Sequence, residues 1–87
     1  MDIEYDSAKA ASNLNKHGVS FEEAVSVLLD ENALAMEDER SIGENRWLII
    51  GMSDQIRLLT VVYTLRGEKI RLISARKATK REANDYG

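Results

Sequence analysis

Hydrophobic positions follow two different periods along the chain, helical before residue 33 and strand-like after it. In the first part, apolar side chains recur three and four residues apart, as on an amphipathic helix; they are Ala8, Ala11 and Leu14, then Phe21, Ala24, Val25 and Leu28. Later segments alternate or are rich in β-branched residues, which is typical of strands. They cover residues 46–52, 56–66 and 69–76, and residues 3–5 and 33–36 are predicted as shorter strands.

Capping residues predict where the helices begin and end. Asp6 is a typical N-cap and Gly18 a typical C-cap for a first helix. The sequences Ser20–Glu23 and Thr79–Glu82 both have the pattern of a capping box, which predicts a second helix and a short C-terminal helix. Residues 30–32 would end the second helix, and residues 37–43 are predicted to form an acidic loop.

This order of elements predicts an α+β fold, with N-terminal helices packed on an antiparallel β-meander and a short C-terminal helix. Helices followed by a run of strands are typical of α+β rather than α/β architecture. The 87 residues contain no proline and no low-complexity segment. We therefore expect one domain that spans residues 1–87.

The last two long strands are predicted to form a hairpin with a two-residue turn at Arg66-Gly67 or Gly67-Glu68. Alternation then predicts a mainly buried face and a half-solvated face. The buried face would carry Leu59, Val61, Tyr63, Leu65, Ile70, Leu72, Ser74 and Arg76. The solvated face would carry Thr60, Val62, Thr64, Arg66, Lys69, Arg71, Ile73 and Ala75. Arg76 would leave the buried face only if a bulge turned it outward.

Charge is divided between the two halves of the chain. Residues 1–45 contain three basic and eleven acidic side chains, whereas residues 46–87 contain nine basic and four acidic ones. Such asymmetry indicates either a partner for each face or one strongly dipolar domain, unless the halves interleave and cancel. The chain has no cysteine, no apolar run long enough to cross a membrane and no signal-peptide pattern, so we expect a cytoplasmic protein.

Basic residues near the hairpin are the first candidates for a functional site. Arg66, Lys69 and Arg71 would cluster on the solvated face, where arginine binds phosphate oxygens in pairs. They could equally be solvated side chains paired with acidic helices. Arg76 would be either a member of a buried ion pair or a side chain aimed at a cleft.

Other candidates lie at the end of the first helix and at the start of the strand at 46–52. His17 is the only histidine and follows Lys16; a helix-terminal histidine can move a proton but is more often a capping residue. Glu44 and Arg46 could act as an acid/base and a phosphate clamp, or form a salt bridge. One histidine without cysteine predicts neither a metal site nor a cofactor.

Two longer stretches carry a resemblance to a known family. They are Asn13-x-x-Lys16-His17-Gly18-Val19-Ser20-Phe21-x-Glu23-Ala24 and Ile70-Arg71-x-Ile73-Ser74-Ala75-Arg76-Lys77-Ala78-Thr79, with Asp30, Gly43-Glu44-x-Arg46, Gly51, Glu82 and Tyr86. Nearly end to end, the chain resembles the BrnT toxins of bacterial type II toxin–antitoxin pairs. Tyr5 and Leu65 depart from the pattern, which often has tryptophan and an acidic residue there.

The resemblance implies a RelE-like fold and metal-independent RNA cleavage that inhibits translation. It also implies a BrnA-like antitoxin with a ribbon-helix-helix part, through which a hetero-oligomer would bind operator DNA. The predicted catalytic residues, chosen for their own chemistry, are Lys16, His17, Glu44, Arg66, Arg71 and Arg76, and the predicted RNA-binding residues are Lys9, Arg46, Lys69 and Tyr86. The alternative is a non-catalytic module that only binds the antitoxin.

Overall fold

The computed structural model describes residues 2–40 and 43–87, and it has the predicted α+β composition. The elements in chain order are β1 (Asp2–Glu4), α1 (Ser7–His17), α2 (Phe21–Val27), β2 (Leu34–Glu37), β3 (Arg46–Met52), β4 (Leu58–Arg66), β5 (Lys69–Lys77) and α3 (Lys80–Tyr86). The segment predicted as an acidic loop at 37–43 begins one residue later, because Glu37 still belongs to β2. Ser41 and Ile42 of that segment lie outside the described residues.

Five strands form one sheet in the order β1-β5-β4-β3-β2. The four strands from β2 to β5 form the predicted antiparallel meander, whereas β1 pairs with β5 in parallel. The sequence did not predict how β1 pairs, and β1 extends the meander as a parallel edge strand. The reason is that α1 and α2 intervene between β1 and the meander, which lets β1 join the far edge in the same direction as β5.

The main core lies between α2 and one face of the sheet, called the inner face here. Phe21, Ala24 and Val27 of α2 are fully buried against inner-face side chains from three strands. Those side chains are Ile49 of β3, Leu59 and Val61 of β4, and Leu72 and Ala75 of β5. Gly51 allows the close approach of α2, since a Cβ there would lie 2.9 Å from a Val27 methyl carbon.

The β4–β5 hairpin has the second of the two predicted turns, with Gly67-Glu68 between paired Arg66 and Lys69. Pairing continues from this turn until Tyr63 meets Leu72, and then Val62 meets Ser74. Ile73 is the extra residue of a β-bulge, and an extra residue exchanges the faces of all positions after it. The face prediction was therefore wrong for Ala75, which is in the core, and for Ser74, which is on the opposite face. Arg76 is also on the opposite face, as expected if a bulge turned it outward.

That opposite face, called the outer face here, is covered at one end only. The short helix α3 lies over it near Ile50 of β3 and Thr60 of β4, which are 1% and 0% exposed. The Thr60 hydroxyl donates to Oε1 of Glu82 in α3 at 2.9 Å. Among residues 2–40 and 43–87, no helix lies over the hairpin end of the same face.

Helix caps are mostly as predicted. Asp6 accepts from the Ala8 N–H, and Gly18 takes the left-handed conformation with φ of 70°. Thr79 and Glu82 form the reciprocal capping box of α3. The box predicted for α2 is only half formed: Ser20 accepts from the Glu23 N–H, but the Glu23 carboxylate binds Arg57 instead.

Candidate phosphate-binding face and the groove beside it

Four basic residues gather at the uncovered end of the outer face, and together they are called the basic face here. Arg46 pairs across the strands with Thr64, and Thr64 pairs with Arg71, so these three form one row. Arg66 and Lys69 pair directly in the next row, at the turn. Neighbours in such a row have Cβ atoms about 5 Å apart. Four cations on three adjacent strands can therefore contact successive phosphates of one nucleic-acid strand.

Acidic residues contact two of these four cations. Arg71 lies 3.5 Å from the Glu4 carboxylate, and Arg46 lies 3.9 Å from that of Glu44. The side chains of Arg46 and Glu44 are 40% and 45% exposed. Ion pairs at such separations and exposures contribute at most about 1 kcal/mol. A phosphate, which offers several charged oxygens, can therefore displace either carboxylate at little cost.

A groove runs along the edge of the outer face between α1 and the bulge in β5, and it is called the α1 groove here. Its lining residues are Lys9, Ser12, Asn13, Lys16, His17, Ile73 and Ser74. Arg71 and Ser74 are successive outer-face residues of β5, because Ile73 is the bulge. The α1 groove therefore begins one outer-face residue beyond Arg71 on β5, and the predicted residues Lys9, Lys16 and His17 line it.

Asn13 attaches α1 to β5 at the bottom of this groove. Its Nδ2 donates to the carbonyl oxygens of Val19 at 2.9 Å and Ala75 at 2.8 Å, and its Oδ1 accepts from the Ala75 N–H at 3.1 Å. The pairing of β1 with β5 covers only residues 69–71. The Asn13 amide thus supplies, for Ala75, the two hydrogen bonds that a further strand residue would make.

The Arg76 guanidinium, unlike that of Arg71, is bound by both carboxylate oxygens of a single glutamate. Nη1 and Nη2 donate to the two carboxylate oxygens of Glu82 at 2.7 and 3.0 Å. The hydrogen bonds from Arg76, with those from the Thr79 N–H and the Thr60 hydroxyl, lower the pKa of Glu82 to about 2. Arg76 is therefore the ion-pair member that the sequence allowed, and its guanidinium is committed to α3 instead of a cleft.

Tyr86 is also distant from the basic face. Its hydroxyl donates to Oδ2 of Asp30 at 2.6 Å, which raises the pKa of the Tyr86 phenol. The same oxygen accepts from the N–H of Met52, at the opposite end of β3 from Arg46. This contact holds α3 against the sheet, and the RNA contact of Tyr86 stays a prediction.

Sequence reasoning assigned no specific role to the ion pair between Glu23 and Arg57. Glu23 is 3% exposed, and its carboxylate accepts hydrogen bonds from the Arg57 guanidinium and, at 2.7 Å, from the Ser53 hydroxyl. The bond from Arg57 is the main cause that lowers the pKa of Glu23. Arg57 also donates to the Gly18 carbonyl oxygen at 3.2 Å, so the pair supports the end of α1 that carries Lys16 and His17. The position of Glu23 among apolar residues of α2 was the feature of the sequence that could have indicated a buried ion pair.

Within residues 2–40 and 43–87, no group of three histidine, aspartate or glutamate side chains gathers in a way that could hold a metal ion. In the same part of the chain, no helix is long and apolar enough to span a membrane.

Comparison with known proteins connects this geometry to a family. A family model described as "Ribonuclease toxin, BrnT, of type II toxin-antitoxin system" matches residues 5–82. The 1.1 Å crystal structure of the Brucella abortus ribonuclease toxin BrnT is similar in fold, with a TM-score of 0.71 and 25% sequence identity. The similarity covers 92% of this chain and 99% of the Brucella chain. No significant match is found among curated proteins.

Proposed function

Because the chain belongs to the BrnT family of ribonuclease toxins of type II toxin–antitoxin systems, we propose that it cleaves RNA without a metal ion and so inhibits translation. The observation that carries this proposal is the junction of two surfaces. The basic face offers cations to phosphates, and the α1 groove, which Lys16, His17 and Ser74 line, begins one outer-face residue beyond Arg71 on β5.

The proposed reaction is attack by an RNA 2′-hydroxyl on its own 3′-phosphate. A bond forms between the 2′-oxygen and phosphorus, and the bond from phosphorus to the 5′-oxygen of the next nucleotide breaks. The products are a 2′,3′-cyclic phosphate and a 5′-hydroxyl. One proton leaves the 2′-hydroxyl and one is delivered to the 5′-oxygen, so no redox partner or water is consumed in this step.

Residues of the two surfaces divide these tasks. Arg66 and Arg71, with Arg46 and Lys69 at the flanks, stabilise the negative charge that builds on the phosphoryl oxygens. Lys16 and His17 are placed to transfer the protons from the groove. Lys9 lines the same groove, where it can contact an adjacent phosphate. Glu44 is the alternative proton acceptor, from its position beside Arg46.

Cleavage in the presence of EDTA tests the activity itself. Purified protein is incubated with single-stranded RNA in EDTA, and the products are separated and analysed for cyclic-phosphate ends. We expect cleavage and those ends, because the reaction as written needs only the chain's own side chains. RNA that stays intact, while a metal-independent control ribonuclease cleaves it fully, would rule out the proposed reaction.

Substitution of Arg71 tests the assignment of the site. We expect Arg71→Ala to lower the cleavage rate by about tenfold or more, since one charge-assisted hydrogen bond contributes about 1.5–3 kcal/mol. Arg81→Ala is the matched control, because Arg81 is an exposed arginine of α3, outside both surfaces. Equal losses in both variants would contradict the assignment.

The partner that fits this family is an antitoxin, and we propose a BrnA-like protein with a ribbon-helix-helix part that binds operator DNA. The test is co-purification with the product of a neighbouring gene, followed by a growth assay with and without it. A non-catalytic, antitoxin-binding module is the second candidate. The engagement of Arg76 by Glu82 favours it, because one predicted catalytic cation is not available. Growth arrest on induction supports the ribonuclease, and unaffected growth supports the module.

A further inference from the structure

We infer that Asn13 is a positioning residue, which sets the location of Lys16 and His17 relative to the phosphate-binding residues of β5. This inference rests on the proposed function, and it adds a residue for which neither the sequence nor the family description supplies a role. The two surfaces lie on different elements: the cations of the basic face lie on or next to strands of the sheet, whereas Lys16 and His17 lie on α1.

The attachment of α1 to β5 is narrow and depends on one amide. Asn13 is 7% exposed, and its side chain makes three hydrogen bonds to backbone groups, two of them to Ala75. Ala75 follows Ser74, which lies on the floor of the groove. Lys16 and His17 are three and four residues after Asn13, and such residues lie on the same side of a helix. The amide therefore fixes the helix turn that carries both groups.

Neighbouring apolar contacts on α1 are few. Ala10 packs against the core, whereas Ala8 and Ala11 are exposed and Leu14 is 52% exposed. Arg57 holds the Gly18 carbonyl oxygen at 3.2 Å, which restrains the end of the helix but makes no bond to β5. Without Asn13, the backbone groups of Ala75 would lose their partner and α1 could shift along the bulge.

The bulge at Ile73 makes the exact placement of α1 matter. Before the bulge, β5 has β1 as its neighbour, and after it the side chain of Asn13 takes the place of a strand. The Asn13 amide thus fixes the position of α1 relative to Arg71 and Ser74, the successive outer-face residues of β5. A shift of about 1 Å between reacting groups is enough to lower a rate about a hundredfold.

Asn13→Ala is the decisive variant, and steady-state cleavage of RNA at saturating concentration in EDTA is the measurement. We expect kcat to fall at least tenfold while the affinity for a non-cleavable 2′-deoxy oligonucleotide changes less than twofold. The reason is that the phosphate-binding cations stay on β3, β4 and β5. Asn15→Ala controls for the exchange of asparagine for alanine in the same helix, because Asn15 is exposed.

A second control separates positioning from a loss of stability. Val27→Ala opens a cavity between α2 and β3, away from α1. Thermal melts compare the stability of this variant with that of Asn13→Ala. All assays are run at a temperature at which every variant is folded. A purely structural role predicts that the Asn13 and Val27 variants keep the same kcat as the parent chain.

The outcomes distinguish this inference from the function on which it rests. A selective fall in kcat for Asn13→Ala supports it. An active parent chain with an unchanged kcat in Asn13→Ala overturns the positioning role alone, as does a parallel loss of oligonucleotide affinity. A parent chain without cleavage overturns the proposed function and the positioning role together.

Discussion

Two arginines on the same face of the same strand differ in what they can bind. The side chains of Arg71 and Arg76 are 28% and 29% exposed, so burial does not distinguish them. Arg76 makes hydrogen bonds of 2.7 and 3.0 Å to both oxygens of Glu82, whereas Arg71 has one contact, at 3.5 Å, with Glu4. The geometry of the partner, and not exposure, therefore decides which arginine is available to a phosphate.

The difference arises from the element that covers each part of the face. α3 presents Glu82 from a capping box whose geometry is already fixed by Thr79, so little entropy is lost when Arg76 binds. Glu4 lies on the three-residue edge strand β1 and is 34% exposed at its side chain. The covered end of the outer face is thus a stabilising contact, and the uncovered end is a surface open to a ligand.

The largest expected effect is on stability, and it separates the two arginines most clearly. Arg76→Ala should lower the free energy of unfolding by about 2–3 kcal/mol, because it leaves the half-buried Glu82 carboxylate without its main partner. Arg71→Ala should lower it by about 1 kcal/mol or less. Urea unfolding at neutral pH measures both, and equal losses would contradict the comparison.

A smaller effect on the free energy of unfolding is expected at acidic pH. The pKa of Glu82 is lowered from 4.5 to about 2, so its contribution to stability is complete above pH 4.5 and is lost as the pH falls towards 2. Glu82→Gln should therefore be less stable than the parent chain at neutral pH, and the gap should narrow between pH 4.5 and 2. Glu23 and Asp30 also have lowered pKa values, so some acid sensitivity should remain in the variant. A gap of constant size across this range, measured by urea unfolding, would refute the assignment.

The smallest expected effect is on the salt dependence of RNA binding. Each phosphate contact with single-stranded nucleic acid adds about 0.7 to the slope of log affinity against log salt concentration. Lys69→Ala and Arg71→Ala should each reduce the slope by about that amount, whereas Arg76→Ala should leave it unchanged. Titrations of a non-cleavable oligonucleotide at several salt concentrations provide the slopes, and a reduced slope in Arg76→Ala would place RNA at the covered end.

Local features of the chain allowed much of the fold to be predicted. The Asp6 and Gly18 caps, the capping box at Thr79 and the turn at Gly67-Glu68 depend on residues within four positions of each other, and all are confirmed. The parallel pairing of β1 with β5 was missed because it joins residues that are 67 positions apart in the chain, such as Asp2 and Lys69. Nothing in the three residues of β1 specifies that partner.

The candidate site was predictable in its residue types and less so in its arrangement. Arg66, Lys69 and Arg71 share the outer face, as alternation from the turn predicted, because no irregularity lies between them and the turn. Ser74 was assigned to the wrong face, and the outward position of Arg76 was foreseen only as the result of a bulge, since one extra residue at Ile73 reverses the alternation beyond it. No role was predicted for Asn13, because its partner Ala75 lies 62 positions later in the chain. The catalytic and RNA-binding roles stay predictions.

The sequence by itself determined the elements, the division of charge and the resemblance to BrnT toxins, because all three depend on residue types and short spacings. Only the tertiary structure decided which cations are available and which groups lie beside them. The bulge at Ile73, the Asn13 amide and the cover provided by α3 are contacts between distant segments. Their position depends on how the whole sheet pairs and packs, and no local pattern encodes it.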